Sequence, residues 1–199
     1  AIGTVLEALD GLDLAENTLV IWLADHGDAL ASHGGLWDKA STFTEEVARV
    51  PMAIRWPGEL PAGQRSSRLV SNMDATASML DAAGIPVPAH MHSRSLLGLC
   101  RDLTGAAWAD DIVCEHNGHG DQILQRIAIT DRYKYVAALF DGDELYDLRE
   151  DPHEMTNLLT SGEHAGVRDE MRSGLIEHIE STNDRIASGR LLYALQRGL

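Results

Sequence analysis

Apolar residues recur at Ile2, Val5, Leu6 and Leu9, the i, i+3, i+4, i+7 spacing of one helix face, and Gly11 follows as a terminator. A helix therefore opens the chain. After a polar break around residues 15–17, Thr18 to Ala24 forms an unbroken apolar run of strand length, the pattern of a strand covered on both faces in a parallel sheet. It stops at Asp25-His26-Gly27-Asp28. A second run, Val50 to Trp56, ends at Pro57-Gly58, strong punctuation for a strand entering a turn. Residues 74–83, closed by Gly84-Ile85-Pro86, read as a helix with a glycine C-cap and a proline stop.

The second half is patterned differently. Segments 111–115, 126–130, 133–139 and 144–148 are short strand candidates without long helices between them. Asp141-Gly142 offers a two-residue hairpin turn, because both residue types tolerate positive φ. Helical spacing returns with Val167, Met171, Leu175 and Ile179, giving a helix over about 165–186. The expectation is an α/β chain, a parallel sheet portion over residues 1–105 followed by a small antiparallel α+β subdomain over residues 106–199.

Composition sharpens the picture in three places. Of 199 residues, 44% are hydrophobic and 24% charged, which suits a packed globular chain. The net charge of −15 would repel a phosphate backbone over most of the surface, so nucleic acid is not an expected partner. The two cysteines, Cys100 and Cys114, have no zinc-like spacing and cannot make a disulfide framework, so both read as small buried hydrophobes. No apolar run reaches the roughly 18 residues of a membrane span, and the compartment is left open.

Candidate chemistry concentrates after the first strand. Asp25 and His26 lie where open α/β sheets bind ligands, at the carboxyl end of a strand, and offer a hard oxygen and an imidazole nitrogen to a divalent cation. Neighbouring strand residues face opposite ways, so sharing one ion needs the strand to end there, which Gly27 permits. The alternative is a strand-to-loop turn in which Asp25 caps the following backbone. His33 and Lys39 follow in a loop too polar for a core. The lysine could meet an anionic oxygen, or could be a solvated surface residue. A further polar cluster, His116, His119 and Asp121, reads as a pocket rim or plain loop before it reads as a metal site. Asp147 and Asp151 read as solvated turn residues, and Arg49 and Asp74 as structural ties at a sheet edge and a helix cap.

The order of these pieces resembles the C-terminal half of a sulfatase of the alkaline phosphatase superfamily. Asn17 to Asp28 is similar to the family's strand ending in Asp-His/Asn-Gly, and Ser32-His33-Gly34 with Lys39 to the loop after it. Glu45-Glu46 through Arg49-Val50-Pro51 to Pro57-Gly58, and Asp74 through Ala83-Gly84-Ile85, resemble its next two blocks. Tyr133-Lys134-Tyr135, Glu144 to Leu148, Asp151-Pro152 and Asn157-Leu158 resemble its closing signature.

The resemblance implies a metal-dependent sulfuric ester hydrolase in which Asp25 and His26 ligate a divalent metal. Ca2+ is expected first, with Mn2+, Mg2+ or Zn2+ as alternatives. Lys39 would contact sulfate oxygens and His33 would lie on the substrate side. The expected partner is a small sulfate or phosphate ester. The family's nucleophile, a formylglycine made within Cys/Ser-x-Pro-x-Arg, has no counterpart: Cys100-Arg101-Asp102-Leu103 and Cys114-Glu115-His116-Asn117 both fail the pattern. The chain is thus expected to be a C-terminal portion, inactive and poorly soluble by itself, whose N-terminal part is missing. A phosphonate monoester or phosphodiester hydrolase of the same superfamily would share every visible residue. A non-catalytic α/β module is the reading for a chain complete as it stands.

Overall fold

The computed structural model describes residues 1–37, 39, 42–118 and 123–198. They form two compact units, Ala1–Asp25 with Val50–Ala109, and His26–Arg49 with Asp110–Leu199. No described helix is long and apolar enough to cross a membrane.

In the first unit, α1 (Ile2–Gly11) and β1 (Val20–Leu23) form where the apolar pattern predicts them, and β2 (Met52–Arg55) pairs with β1. The pairing is antiparallel, with Val20 opposite Arg55 and Leu23 opposite Met52, so among the described residues the sheet of this unit is a two-stranded antiparallel ribbon and not a parallel one. An unbroken apolar run signals an apolar environment on both faces and carries no information on strand direction. Arg55 bonds Asp10 at 2.5 Å and the Trp56 indole donates to the Glu16 carbonyl at 2.9 Å, which ties α1 and the turn after it to the ribbon.

The better-packed part of this unit is α4 (Asn72–Ala82) against α5 (Leu96–Arg101). Ser71 and Asp74 make a reciprocal capping box at the start of α4, as the capping role expected of Asp74 requires. Asp74 is buried and also accepts the Arg94 backbone N–H at 2.8 Å. At the far end Gly84 takes φ +69, and the Gly84 and Ile85 N–H groups return to the Asp81 and Leu80 carbonyls, closing the helix as the Gly-Ile-Pro sequence predicts. The short α5, whose apolar stretch is too brief to show periodicity, is nucleated by Ser95, which accepts from Leu97 N–H.

The second unit is built on a meander, β3 (Asp111–His116), β4 (Leu124–Thr130), β5 (Tyr133–Leu139) and β6 (Glu144–Asp147), all antiparallel and in sequence order. In the central strands β4 and β5 every residue but the first and last is buried. One face carries Ala128, Tyr135, Ala137 and Leu145 against Met171, Leu175 and Ile179 of α6 (Ala165–Ser181) and Leu191 and Leu195 of α7 (Arg190–Arg197). Each Leu, Ile or Met side chain among these contributes about 1.5–3 kcal/mol when fully buried. The pattern predicted one helix to residue 186. The chain instead turns at Asp184, whose carboxylate accepts the Ile186 and Ala187 N–H groups and pairs with the fully buried Arg126 at 2.6 Å.

Three side-chain expectations need correction. Asp147 is not a solvated turn residue: it is buried, binds Arg132 at 2.7 and 3.0 Å and caps the Arg149 and Glu150 amides. Arg132 holds its carboxyl below the usual carboxylate range. The left-handed residue of the β5–β6 turn is Phe140 at φ +75, while Asp143 accepts the Ala138 N–H and the Tyr135 hydroxyl. Arg49 is not the sheet-edge tie expected: its side chain is 83% exposed and, among the described residues, its ion-pair partner is Glu45 at 4.0 Å.

Candidate functional site

The first expected ligand, Asp25, ends the first unit. Its backbone carbonyl and that of Ala24 both accept from the Asn72 amide, at 2.9 and 3.2 Å, so the capped start of α4 fixes the end of the first strand segment. His26, the next residue, opens the second unit. Its Nδ1 lies 2.7 Å from the Gly27 carbonyl, which can only accept, so this contact engages Nδ1 as the donor and turns Nε2 to the other side of the ring. Metal-bound histidines are commonly oriented by this kind of backbone contact.

Gly27 docks onto α3 (Glu45–Ala48). Its N–H donates to the Val47 carbonyl at 2.8 Å, and a Cβ at this position would lie 1.8 Å from the Glu46 carbonyl oxygen. Only glycine permits so close an approach.

The loop that follows is tightly wound. Leu30, Ala31 and His33 take positive φ, with Gly34 and Gly35, around the short turn α2 (Ser32–Gly35), and the Ala31 N–H donates to the Leu36 carbonyl at 2.7 Å. A left-handed non-glycine residue costs on the order of 1 kcal/mol and persists where its surroundings compensate. For His33 the compensation is Glu46, whose Oε2 is 3.2 Å from the imidazole Nε2. Burial acts to raise the Glu46 carboxyl, but its own backbone N–H, the Thr44 hydroxyl and His33 outweigh that and hold it below the usual range. Lys39 is partly buried.

α3 is therefore a hub. Its backbone receives Gly27, Glu46 holds His33, and Glu45 meets the C-terminal sheet. The Lys134 ammonium of β5, with no side-chain exposure, lies 3.3 Å from Glu45 Oε1 and 2.7 Å from Glu154 Oε1, while Glu154 Oε2 accepts the Glu45 N–H at 2.6 Å. Ligand atoms of His33, Glu46 and Glu154 lie within 4.8 Å of one another, a spacing that could enclose a cation. The hydrogen bonds argue for a different use. Lys134 supplies the positive charge, both Glu154 oxygens are engaged, and Glu46 already serves His33.

Sequence reasoning missed Glu45, Glu46, Lys134 and Glu154 as parts of this site. A signal existed: a lysine inside a strand with Val136, Ala137 and Ala138 has no route to water and must find carboxylates. In the other polar cluster, His116 ends β3 and sets its ring edge-on to Phe43 at 5.8 Å; His119 and Asp121 lie outside the described residues. Cys100 and Cys114 are half-buried and not fully buried as expected, and burial raises both thiols, which does not suit a nucleophile.

Residues 32–181 match the family model for the C-terminal region of N-sulphoglucosamine sulphohydrolase. The uncharacterized sulfatase YidJ of Escherichia coli K12 is 32% identical over 189 residues, covering 94% of this chain and 37% of its own length. Arylsulfatase K of Canis lupus familiaris is 33% identical over 172 residues, covering 80% of this chain and 31% of its own length. Among solved structures, that of BT4656 in complex with its substrate D-glucosamine-2-N,6-O-disulfate superposes with a TM-score of 0.83 at 28% identity, over 92% of this chain and 38% of BT4656. The chain thus spans between about three tenths and two fifths of the length of these relatives, and it belongs to the sulfatase family.

Proposed function

We propose that this chain is the C-terminal portion of a metal-dependent sulfuric ester hydrolase, in which Asp25 and His26 ligate a divalent cation, Ca2+ first among the candidates, and Lys39 and His33 face the ester. The observation that carries the reading is the continuous similarity to sulfatases over 94% of the chain. The donor set suits a divalent cation, and the contact of Nδ1 with the Gly27 carbonyl orients the His26 ring so that Nε2 is the nitrogen that would ligate. When bound, such a cation supplies Lewis-acid neutralisation of the oxygens on sulfur.

The residues of this chain would bind and position. The Lys39 ammonium neutralises a non-bridging sulfate oxygen, and its interaction strengthens as negative charge gathers there during substitution at sulfur. His33, held by Glu46, lies on the substrate side. The nucleophile, a formylglycine by family analogy, comes from a segment outside residues 1–199, which contain no Cys/Ser-x-Pro-x-Arg. Structures of phosphonate monoester hydrolases share the fold at 21–24% identity; the sulfatase relatives are nearer in sequence, which favours a sulfate ester.

The test is the complete gene product, assayed with an aryl sulfate and with glucosamine 6-sulfate. The reading expects turnover that a chelator abolishes and that Lys39→Ala lowers by about 10²-fold or more. Ca2+ should raise the melting temperature of the same protein, and Asp25→Asn should remove that rise. Turnover of a phosphonate monoester with neither sulfate accepted would replace this reading, and absence of any ester hydrolysis would end it.

A further inference from the structure

We propose that the buried Lys134, Glu154 and Glu45 network acts as a positioning device, by which the C-terminal sheet sets the place of α3 and, through Glu46, the orientation of the His33 imidazole. The proposal rests on the sulfatase reading for its effect on turnover, though not for its geometry.

Three observations converge on it. Lys134 has no side-chain exposure and Glu154 only 3%, so removing this charge pair from water requires close compensation, which the 2.7 Å contact supplies. The second Glu154 oxygen is spent on a single backbone group, the N–H of Glu45 at the first turn of α3. A four-residue helix has too few internal hydrogen bonds to fix its own position, so this external bond and the Lys134 contact with the Glu45 carboxylate set where α3 lies. Glu154 also takes φ +54, a left-handed conformation that a glutamate adopts only where its surroundings over-determine it.

The next residue after Glu45 is the one that bonds His33, at 3.2 Å. His33 is itself left-handed at φ +49, and among the described residues its ring nitrogen Nε2 meets the Glu46 carboxylate. A displacement of α3 would therefore be transmitted directly to the imidazole. Buried ionic groups are weak contributors to stability compared with apolar residues of similar volume, so their role here is geometric.

The discriminating variant is Lys134→Met combined with Glu154→Met, which replaces the pair by apolar side chains of similar volume instead of leaving one charge buried alone. Glu46→Gln is the second variant, at a side chain that is 32% exposed, in case the first does not fold. Two readouts apply. In spectra of the 15N-histidine-labelled complete gene product, with the ring signals of residue 33 assigned through His33→Gln, both variants should move those signals; unmoved signals overturn the proposal. In kinetics on an aryl sulfate, Lys134→Met/Glu154→Met should lower kcat/KM about tenfold when His33 is present and less than about twofold in a His33→Ala background. Equal losses in both backgrounds would mean a merely structural role and overturn it. If the unsubstituted protein hydrolyses no sulfate ester, the sulfatase reading fails, and the ring signals alone decide the positioning role.

Discussion

The strands of the ribbon in the first unit are more apolar than those of the meander in the second, yet it is the central strands of the meander that are buried. β1 and β2 contain no buried residue and α1 contains none, while Ile2, Val5 and Trp22 are 50%, 61% and 42% exposed. In β4 and β5 the five inner residues of each strand are all buried. A two-stranded ribbon has only two edges and no interior strand, so it cannot cover its own faces. A four-stranded sheet with two helices across it can. Apolar character therefore reports what a strand needs, and the number of neighbours within the chain decides whether it obtains it.

The contrast can be broken most severely at Arg126. Arg126→Met would leave the Asp184 carboxylate, 6% exposed, without its partner and cost about 3–5 kcal/mol, read as a lower urea midpoint for the second unit. Leu175→Ala, at a side chain with no exposure, should cost about 2–5 kcal/mol, whereas Val5→Ala in α1 should stay within about 0.5 kcal/mol by the same measurement. Comparable losses at the two positions would refute the contrast.

A smaller effect is expected where the candidate site meets α3. Gly27→Ala places a methyl against the Glu46 carbonyl, so α3 must shift; the cost is about 1–3 kcal/mol, and the ring signals of His33 should move with it. The smallest is the response to acid. The Asp147 carboxyl is held down by Arg132 and that of Glu46, against the effect of burial, by its backbone N–H, the Thr44 hydroxyl and His33, so both have lower values folded than unfolded. Their contribution is complete above the unfolded carboxylate values, about 4, and is lost as pH falls through the depressed folded values. Urea midpoints between about pH 7 and about pH 3 should decline in that window, and Asp147→Asn should flatten the decline. An unchanged slope would remove Asp147 from the account.

Most of the elements were legible without coordinates. The i, i+3, i+4 face of α1, the Gly84-Ile85-Pro86 stop of α4 and the four strands of the meander follow from local rules, because backbone preference and side-chain periodicity act within a few residues. The sequence also carried the family blocks, and with them Asp25, His26, His33 and Lys39 as candidates, since adjacent and near-adjacent residues keep their spacing in any fold. Other features were decided only in three dimensions. The antiparallel pairing of β1 with β2 depends on the path of the chain between them, which apolar content does not encode. The burial of Asp147 depends on Arg132, in the turn between β4 and β5, lying 2.7 Å away. The joining of Glu45 to Lys134 and Glu154 spans 89 and 109 positions of sequence, and no local pattern can specify partners at that separation. Charges buried at such distances from one another in sequence are placed by the packing of whole elements, because the requirement to pair a charge away from water is satisfied only once the sheet has closed around it.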